Sequence, residues 1–211
     1  DGKYLLYVDD PKTGQVTPLP GSDNALEPFW SPDSKSMAYG SRGKLKRSDI
    51  SGGNAQVLCD AARLTAGAWN KDGDIIFGPD YGSVMFTVSA KGGEPKQGTF
   101  MEEAGEGQHS GGTFLPDGRR FLFNRTFASA ELRGLWMGSL DSKEVKRVMA
   151  ENLTVRFAPP DWLIMVRNQV LVAQKIDTGS LELIGDPIPI ITQTENAASA
   201  PARFSVSTNG V

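Results

Sequence analysis

Short runs of apolar residues recur along the whole chain, and each run follows a turn built from Pro, Asp, Asn or Gly. An aromatic residue stands just before each turn, so that aromatic residue, turn and apolar run form one repeated unit. Because the runs are short and bounded by turn residues, they predict β-strands joined by hairpins rather than amphipathic helices. In the five copies of the unit, the recurring aromatic residues are Trp30 (directly after Phe29), Trp69, Phe114, Phe157 and Phe204.

The copies return at intervals of roughly 40–50 residues, a period that is characteristic of β-propellers, in which each repeat forms a four-stranded blade. We therefore predict one all-β propeller domain over residues 1–211, with five blades. The four complete blades span approximately residues 27–61, 62–104, 105–152 and 153–197, and the fifth is a composite of residues 198–211 and 1–26. The alternative is a six-bladed ring in a longer parent protein.

Composition narrows the classes of partner. The net charge is −3 and charged residues make up 22% of the chain, so there is no basic excess of the kind that nucleic-acid binding requires. No apolar stretch approaches the roughly 20 residues that a membrane-spanning helix needs, and we expect no membrane insertion by this segment itself. The single cysteine, Cys59, excludes an internal disulfide.

The first repeat carries a resemblance to a known family. Trp30-Ser31-Pro32-Asp33 and the later Asp49-Ile50-Ser51-Gly52-Gly53 resemble the WD-like repeat of TolB-type propellers. Longer stretches, among them 114–119 and 138–143, are similar to the extracytoplasmic propellers of receptor-type serine/threonine protein kinases of acidobacterial type. The family repeat usually has glycine at the positions of Ser34 and Trp162, and this chain contains no kinase motif.

This resemblance implies a non-catalytic binding, sensor or scaffold module of a bacterial envelope protein. The module would lie in the periplasm or at the cell surface, tethered through a membrane span of the parent protein outside this chain. Its ligand would be a protein, a peptide or a small molecule bound at the mouth of the propeller channel. The alternatives are the accessory propeller of a serine peptidase and a glycoside hydrolase.

Five residues are candidates for ligand binding at this mouth. Glu103, Glu106 and His109 cluster just before a predicted first strand, although a histidine here is more commonly solvated or bonded to the backbone. Arg156 and Arg203 stand in matching positions, each directly before the repeat aromatic. Both could favour an anionic group, and the alternative for both is a surface ion pair.

The motifs of known catalytic sites are missing. Glycoside hydrolysis needs a pair of carboxylates, and the predicted first strands, beginning with Pro28-Phe29-Trp30, contain none. There is no Gly-x-Ser-x-Gly motif, and one histidine with one cysteine supplies too few ligands for zinc. We therefore predict that the chain is not an enzyme and carries no cofactor or metal. The repeat aromatics are expected to lie in the core, and Trp162, which follows a turn, is the aromatic residue that we expect to be exposed.

Overall fold

A computed structural model describes residues 4–101, 107–126, 129–191 and 204–206. All regular structure in these ranges is β-strand, and none of them holds a helix long and apolar enough to cross a membrane. The chain divides into two compact units, Asp1–Gly98 and Thr99–Val211. Each unit is built from sheets whose strands follow one another in the order of the sequence and pair antiparallel.

The first unit contains a hairpin and two four-stranded sheets. The hairpin pairs β1 (Tyr7–Asp10) with β2 (Gln15–Pro18). The first sheet consists of β3 (Leu26–Trp30), β4 (Ser36–Ser41), β5 (Lys44–Asp49) and β6 (Gln56–Asp60). The second sheet consists of β7 (Ala66–Trp69), β8 (Asp74–Gly78), β9 (Phe86–Ser89) and β10 (Lys96–Gln97).

The second unit contains two further four-stranded sheets. The third sheet consists of β11 (Gln108–Phe114), β12 (Arg120–Thr126), β13 (Gly134–Ser139) and β14 (Lys146–Met149). The fourth sheet consists of β15 (Val155–Ala158), β16 (Trp162–Arg167), β17 (Val170–Ile176) and β18 (Leu183–Ile191). The four sheets reproduce the four-stranded repeats that the sequence predicts.

Each unit has its core between its two four-stranded sheets. In the first unit, Ala38 and Leu45 of the first sheet pack with Ile75 and Phe77 of the second. In the second unit the core joins the third and fourth sheets through the buried residues Leu122, Leu135, Met149, Leu163, Met165, Val172 and Ile176. These side chains recur at alternate positions because successive residues of a strand face opposite sides of the sheet.

The turn after Trp30 is held by an aspartate. Asp33 accepts hydrogen bonds from the Ser31 hydroxyl at 2.6 Å and from the Lys35 amide at 3.1 Å. These bonds lower the pKa of Asp33, since they stabilise its charged form. Ser34, at a position where the family repeat usually has glycine, has a φ of 57°. The backbone therefore keeps the conformation that glycine favours, although the side chain differs.

Two expectations about this fold have different outcomes. Trp162 is half-buried, with the Lys175 ammonium 5.3 Å from its ring centroid, whereas Trp30 has 36% of its surface exposed. The predictions that Trp162 is the exposed aromatic residue and that Trp30 lies in the core are therefore both wrong. The composite fifth blade stays a prediction, because residues 1–3, 192–203 and 207–211 lie outside the described residues.

Candidate functional site

The first strands of the four-stranded sheets are the strands through which neighbouring sheets contact each other. Within the first unit β3 contacts β7, and within the second unit β11 contacts β15. The blades of a propeller are arranged around a central channel, and the strands at which neighbouring sheets converge are those nearest its axis. The side chains of β3, β7, β11 and β15 are therefore the candidates for a functional site.

Strand β3 contains a β-bulge. Leu26 pairs with Gly40 and Phe29 with Ala38, so β3 has one residue more than its partner over this stretch. The extra length falls at Glu27 and Pro28, and Glu27 has a φ of 47°. A residue other than glycine in this left-handed region carries about 1–2 kcal/mol of steric strain. Bulges of this kind redirect side chains and are common beside functional sites.

Strand β11 repeats the same irregularity with different residues. Its pairing with β12 shifts between Ser110 and Thr113, and the residues between them are Gly111 and Gly112. Gly111 has a φ of 80°. Counted back from the repeat aromatic of each blade, Gly111 stands where Glu27 stands in β3. The fold thus uses glycine at this position in one blade and a carboxylate residue in another.

Glu27 was missed by sequence reasoning, which took the first strand of this blade to begin at Pro28. The structure extends β3 to Leu26 and so places a half-buried carboxylate residue on a first strand. Among the described parts of β3, β7, β11 and β15, Glu27 is the only carboxylate residue. Its correspondence with Gly111 in the repeat register was the signal available in the sequence.

His109 lies inside β11 rather than in the loop before it. Its side chain is fully buried, its Nδ1 is 2.7 Å from the Thr99 hydroxyl, and its ring centroid is 5.0 Å from that of Phe123. Its cross-strand neighbour Arg125 is also fully buried, with the guanidinium 4.0 Å from the ring centroid of Trp136. Sequence reasoning did not single out Arg125, because nothing in its local pattern indicates burial.

Arg156 lies on β15 and is half-buried. One guanidinium nitrogen donates to the Val155 carbonyl at 2.9 Å, and the guanidinium carbon is 6.0 Å from the ring centroid of Phe204. Arg156 and His109 therefore stand on neighbouring first strands but contact different residues. The other three candidates, Glu103, Glu106 and Arg203, lie outside the described residues.

Two further groups bear on the chemistry. Burial raises the pKa of the Cys59 thiol to about 11, so this side chain stays protonated at neutral pH and is a poor nucleophile. Within the described ranges, no three His, Cys, Asp or Glu side chains come together as a metal site would require. Neither group lies on a first strand, where Glu27 is the carboxylate residue among the described positions.

Comparison with known proteins places the fold. No family model and no curated protein sequence matches the chain. Among solved structures it is similar to virginiamycin B lyase from Staphylococcus aureus, with 15% identity, a TM-score of 0.59 and coverage of 92% of this chain and 64% of that one. An auxiliary nutrient binding protein from Bacteroides ovatus shows 10% identity, a TM-score of 0.59 and coverages of 87% and 45%. Oligogalacturonate lyase in complex with manganese shows 19% identity, a TM-score of 0.58 and coverages of 85% and 57%.

These similarities confirm the predicted fold class, an all-β propeller. At such identities they show the fold alone. The chain spans between 45% and 64% of the length of these three structures, so the activities of whole proteins do not carry over to it.

The prediction that the chain is not an enzyme is wrong. The propellers that it resembles include two proteins named as lyases and one named as a puromycin-hydrolyzing peptidase. The physical premise of the prediction also fails. It rested on first strands without a carboxylate, whereas β3 carries Glu27. The fold and the first strands therefore give no ground for excluding catalysis.

Proposed function

We propose that this chain is a ligand-binding β-propeller in which Glu27 holds a polar ligand at the first strands. The ligand is a peptide or small molecule that presents hydroxyl or ammonium groups, because a carboxylate accepts hydrogen bonds from such donors. The TolB-like and kinase-receptor resemblance supports a place for the module outside the cytoplasm, as the sensor part of a longer envelope protein.

The observation that carries this proposal is the strain at Glu27. Glu27 has a positive φ of 47°. At the equivalent position of the bulge in β11, the residue with a positive φ is Gly111. Strained residues of this kind persist where the surrounding structure holds them, and they cluster at binding and active sites. A carboxylate residue at a glycine position, on a first strand, is therefore our candidate for contact with a ligand.

Trp30 supports the proposal from the same strand. It lies three residues after Glu27, at the end of β3, and leaves 36% of its surface exposed. Exposed tryptophan rings stack on the apolar faces of sugars and on aromatic side chains, while a nearby carboxylate fixes orientation by hydrogen bonding. Together they suit a ligand with both an apolar face and polar donors.

A fluorescence titration tests the proposal. Tryptophan emission of the full chain is followed as a neutral oligosaccharide, an acidic oligosaccharide and a lysine-containing peptide are added in separate experiments. We expect a saturable change with the neutral oligosaccharide or the peptide. Replacing Glu27 by Gln should weaken that binding at least about tenfold, because a hydrogen bond to a charged group contributes about 1.5–3 kcal/mol.

The matched control is Glu94→Gln, which makes the same chemical change at an exposed residue between β9 and β10. This variant should bind like the wild type. Binding that is equally strong in Glu27→Gln and in the wild type, or preference for the acidic oligosaccharide alone, would contradict the assignment of Glu27. The same samples assayed for product release would show whether the bound compound is also turned over.

A further inference from the structure

The N-terminal ends of β3 and β7 lie at the same end of the first unit. The ring of Phe29 on β3 lies so close to β7 that a Cβ added to Gly67 would be 2.1 Å from it. Closer to this end, a Cβ added to Gly40 would be 2.6 Å from the Cβ of Leu64, which precedes β7. Because Gly40 pairs with the first residue of β3, Leu64 lies near the start of that strand, where Glu27 is the second residue. The segment that leads into β7 therefore comes near Glu27.

Arg63 belongs to this segment, and its guanidinium lies over an exposed aromatic ring. The Arg63 amide donates to the Pro79 carbonyl at 2.9 Å, which holds the residue beside the loop that follows β8. That loop carries Tyr81, whose ring centroid is 4.9 Å from the guanidinium carbon and whose surface is 63% exposed. A guanidinium that lies over a ring makes this contact through its face, so its in-plane N–H donors stay available for an anion.

Arg63 differs from two other cations at this end of the first unit, both of which face carboxylates. Arg42 lies 3.9 Å from Asp23, and Lys44 forms an ion pair with Asp60. Among the contacts of the described residues, the guanidinium of Arg63 has the aromatic ring as its partner and no carboxylate. Such a guanidinium favours an anionic group of a ligand, since its fork of donors matches the two oxygens of a carboxylate.

The spacing of Glu27 and Arg63 limits the size of a ligand that contacts both. Glu27 follows Leu26, which pairs with Gly40. Gly40 lies against Leu64, which follows Arg63. The Cα atoms of Glu27 and Arg63 are therefore at most about 18 Å apart. A tripeptide spans roughly 10 Å, and the long side chains of Glu27 and Arg63 can reach its two ends.

We infer that the ligand of this site is a short zwitterionic peptide, whose ammonium group binds Glu27 and whose C-terminal carboxylate binds Arg63. The inference rests on the proposed function of Glu27 and narrows the ligand class to compounds that carry both charges. A neutral oligosaccharide supplies hydroxyl donors for Glu27 but no anion for Arg63. Arg63, held over the ring of Tyr81, is thus the residue that selects ligands with a free carboxylate.

A cycle of one protein variant and one ligand variant tests the inference. Calorimetric titration of the full chain compares the tripeptide Lys-Ala-Ala with the same tripeptide amidated at its C-terminus. We expect amidation to weaken binding to the wild type by about five- to tenfold, because it removes the negative charge that the guanidinium binds. In Arg63→Gln the two forms should bind equally, and as weakly as the amide binds to the wild type.

The matched control is Arg133→Gln, which makes the same change at an exposed arginine of the second unit. This variant should keep the full preference of the wild type for the free carboxylate. Equal weakening of both forms of the tripeptide by Arg63→Gln would refute the inference, because the loss would then not depend on the carboxylate.

The same titrations separate this inference from the proposed function. If both forms of the tripeptide bind equally to the wild type and Glu27→Gln weakens both, ligand binding by Glu27 stands and the role of Arg63 is refuted. Binding of the neutral oligosaccharide without binding of either tripeptide would refute the zwitterionic ligand alone. If none of these compounds binds to the wild type, both the inference and the proposed function are refuted.

Discussion

Replacing Gly134 by alanine is expected to lower the free energy of unfolding by about 3 kcal/mol or more. Gly134 begins β13 with a φ of 140°, a conformation that L-residues rarely adopt. A Cβ at this position would lie 2.3 Å from the Met149 carbonyl oxygen and 3.1 Å from the backbone of Ala150. Because the obstruction is backbone, no side-chain rotation can relieve it, and β13 would have to separate from β14. Urea unfolding of wild type and variant measures the loss.

Gly93→Ala provides the control for this substitution. Gly93 has a φ of 138°, almost that of Gly134, but nothing lies within 4 Å of the position of its Cβ. It therefore carries the same conformational penalty without the collision. Gly93→Ala should be destabilised clearly less than Gly134→Ala. Equal losses would show that the φ angle alone determines the cost and would refute the argument from the close approach of β14.

Replacing Asn124 by alanine should lower the free energy of unfolding by about 2–4 kcal/mol. The side chain of this buried residue donates to the Leu153 carbonyl at 2.9 Å and accepts from the Leu153 amide at 3.2 Å. These two hydrogen bonds take the place of strand pairing for Leu153, which lies just before β15. Alanine would remove both hydrogen bonds and leave the backbone polar groups of Leu153 without these partners.

The exposed Asn152 is the control for Asn124, because it is the same residue type beside the same segment. Asn152→Ala should change stability by less than about 0.5 kcal/mol. A stability of Asn124→Ala equal to that of Asn152→Ala would contradict the role assigned to this side chain.

Local sequence chemistry was sufficient to predict the sheets. Turn aspartates such as Asp33 act within a few residues of their own position, so their pattern can be read without tertiary information. The structure shows Asp33 bonded to Ser31 and Lys35 as a turn residue should be. Ser34 is instructive, because the repeat register marked it as a glycine position and the structure gives it a positive φ.

The candidate site could be predicted only in part, since it depends on pairing across strands. Glu27 belongs to β3 through a bulge that only the register with β4 reveals. His109 looked like a loop residue, yet the strand continues through Gly111 and Gly112 to include it and bury it. Burial of Arg125 against Trp136 likewise depends on neighbouring strands. Such features are tertiary, and a local pattern does not specify them.

The fifth blade is a feature that the sequence predicts and that the structure describes only in part. The sequence predicts it from Phe204 and from the strand pattern near the N-terminus, and the structure describes only residues 204–206 of its C-terminal part. The Arg156 guanidinium carbon lies 6.0 Å from the ring centroid of Phe204. Binding of an anionic ligand by Arg156, which the sequence suggests, stays a prediction.

The most direct test of the account is the unfolding free energy of Glu27→Gly, measured together with its ligand binding. If Glu27 binds a ligand and its backbone conformation is strained, the substitution by glycine should raise the unfolding free energy by about 0.5–1 kcal/mol and abolish binding. Ser34→Gly should give a similar stabilisation, since its φ of 57° is comparable, and should leave binding intact. A Glu27→Gly variant that is less stable than wild type, or one that binds normally, would contradict the central claim.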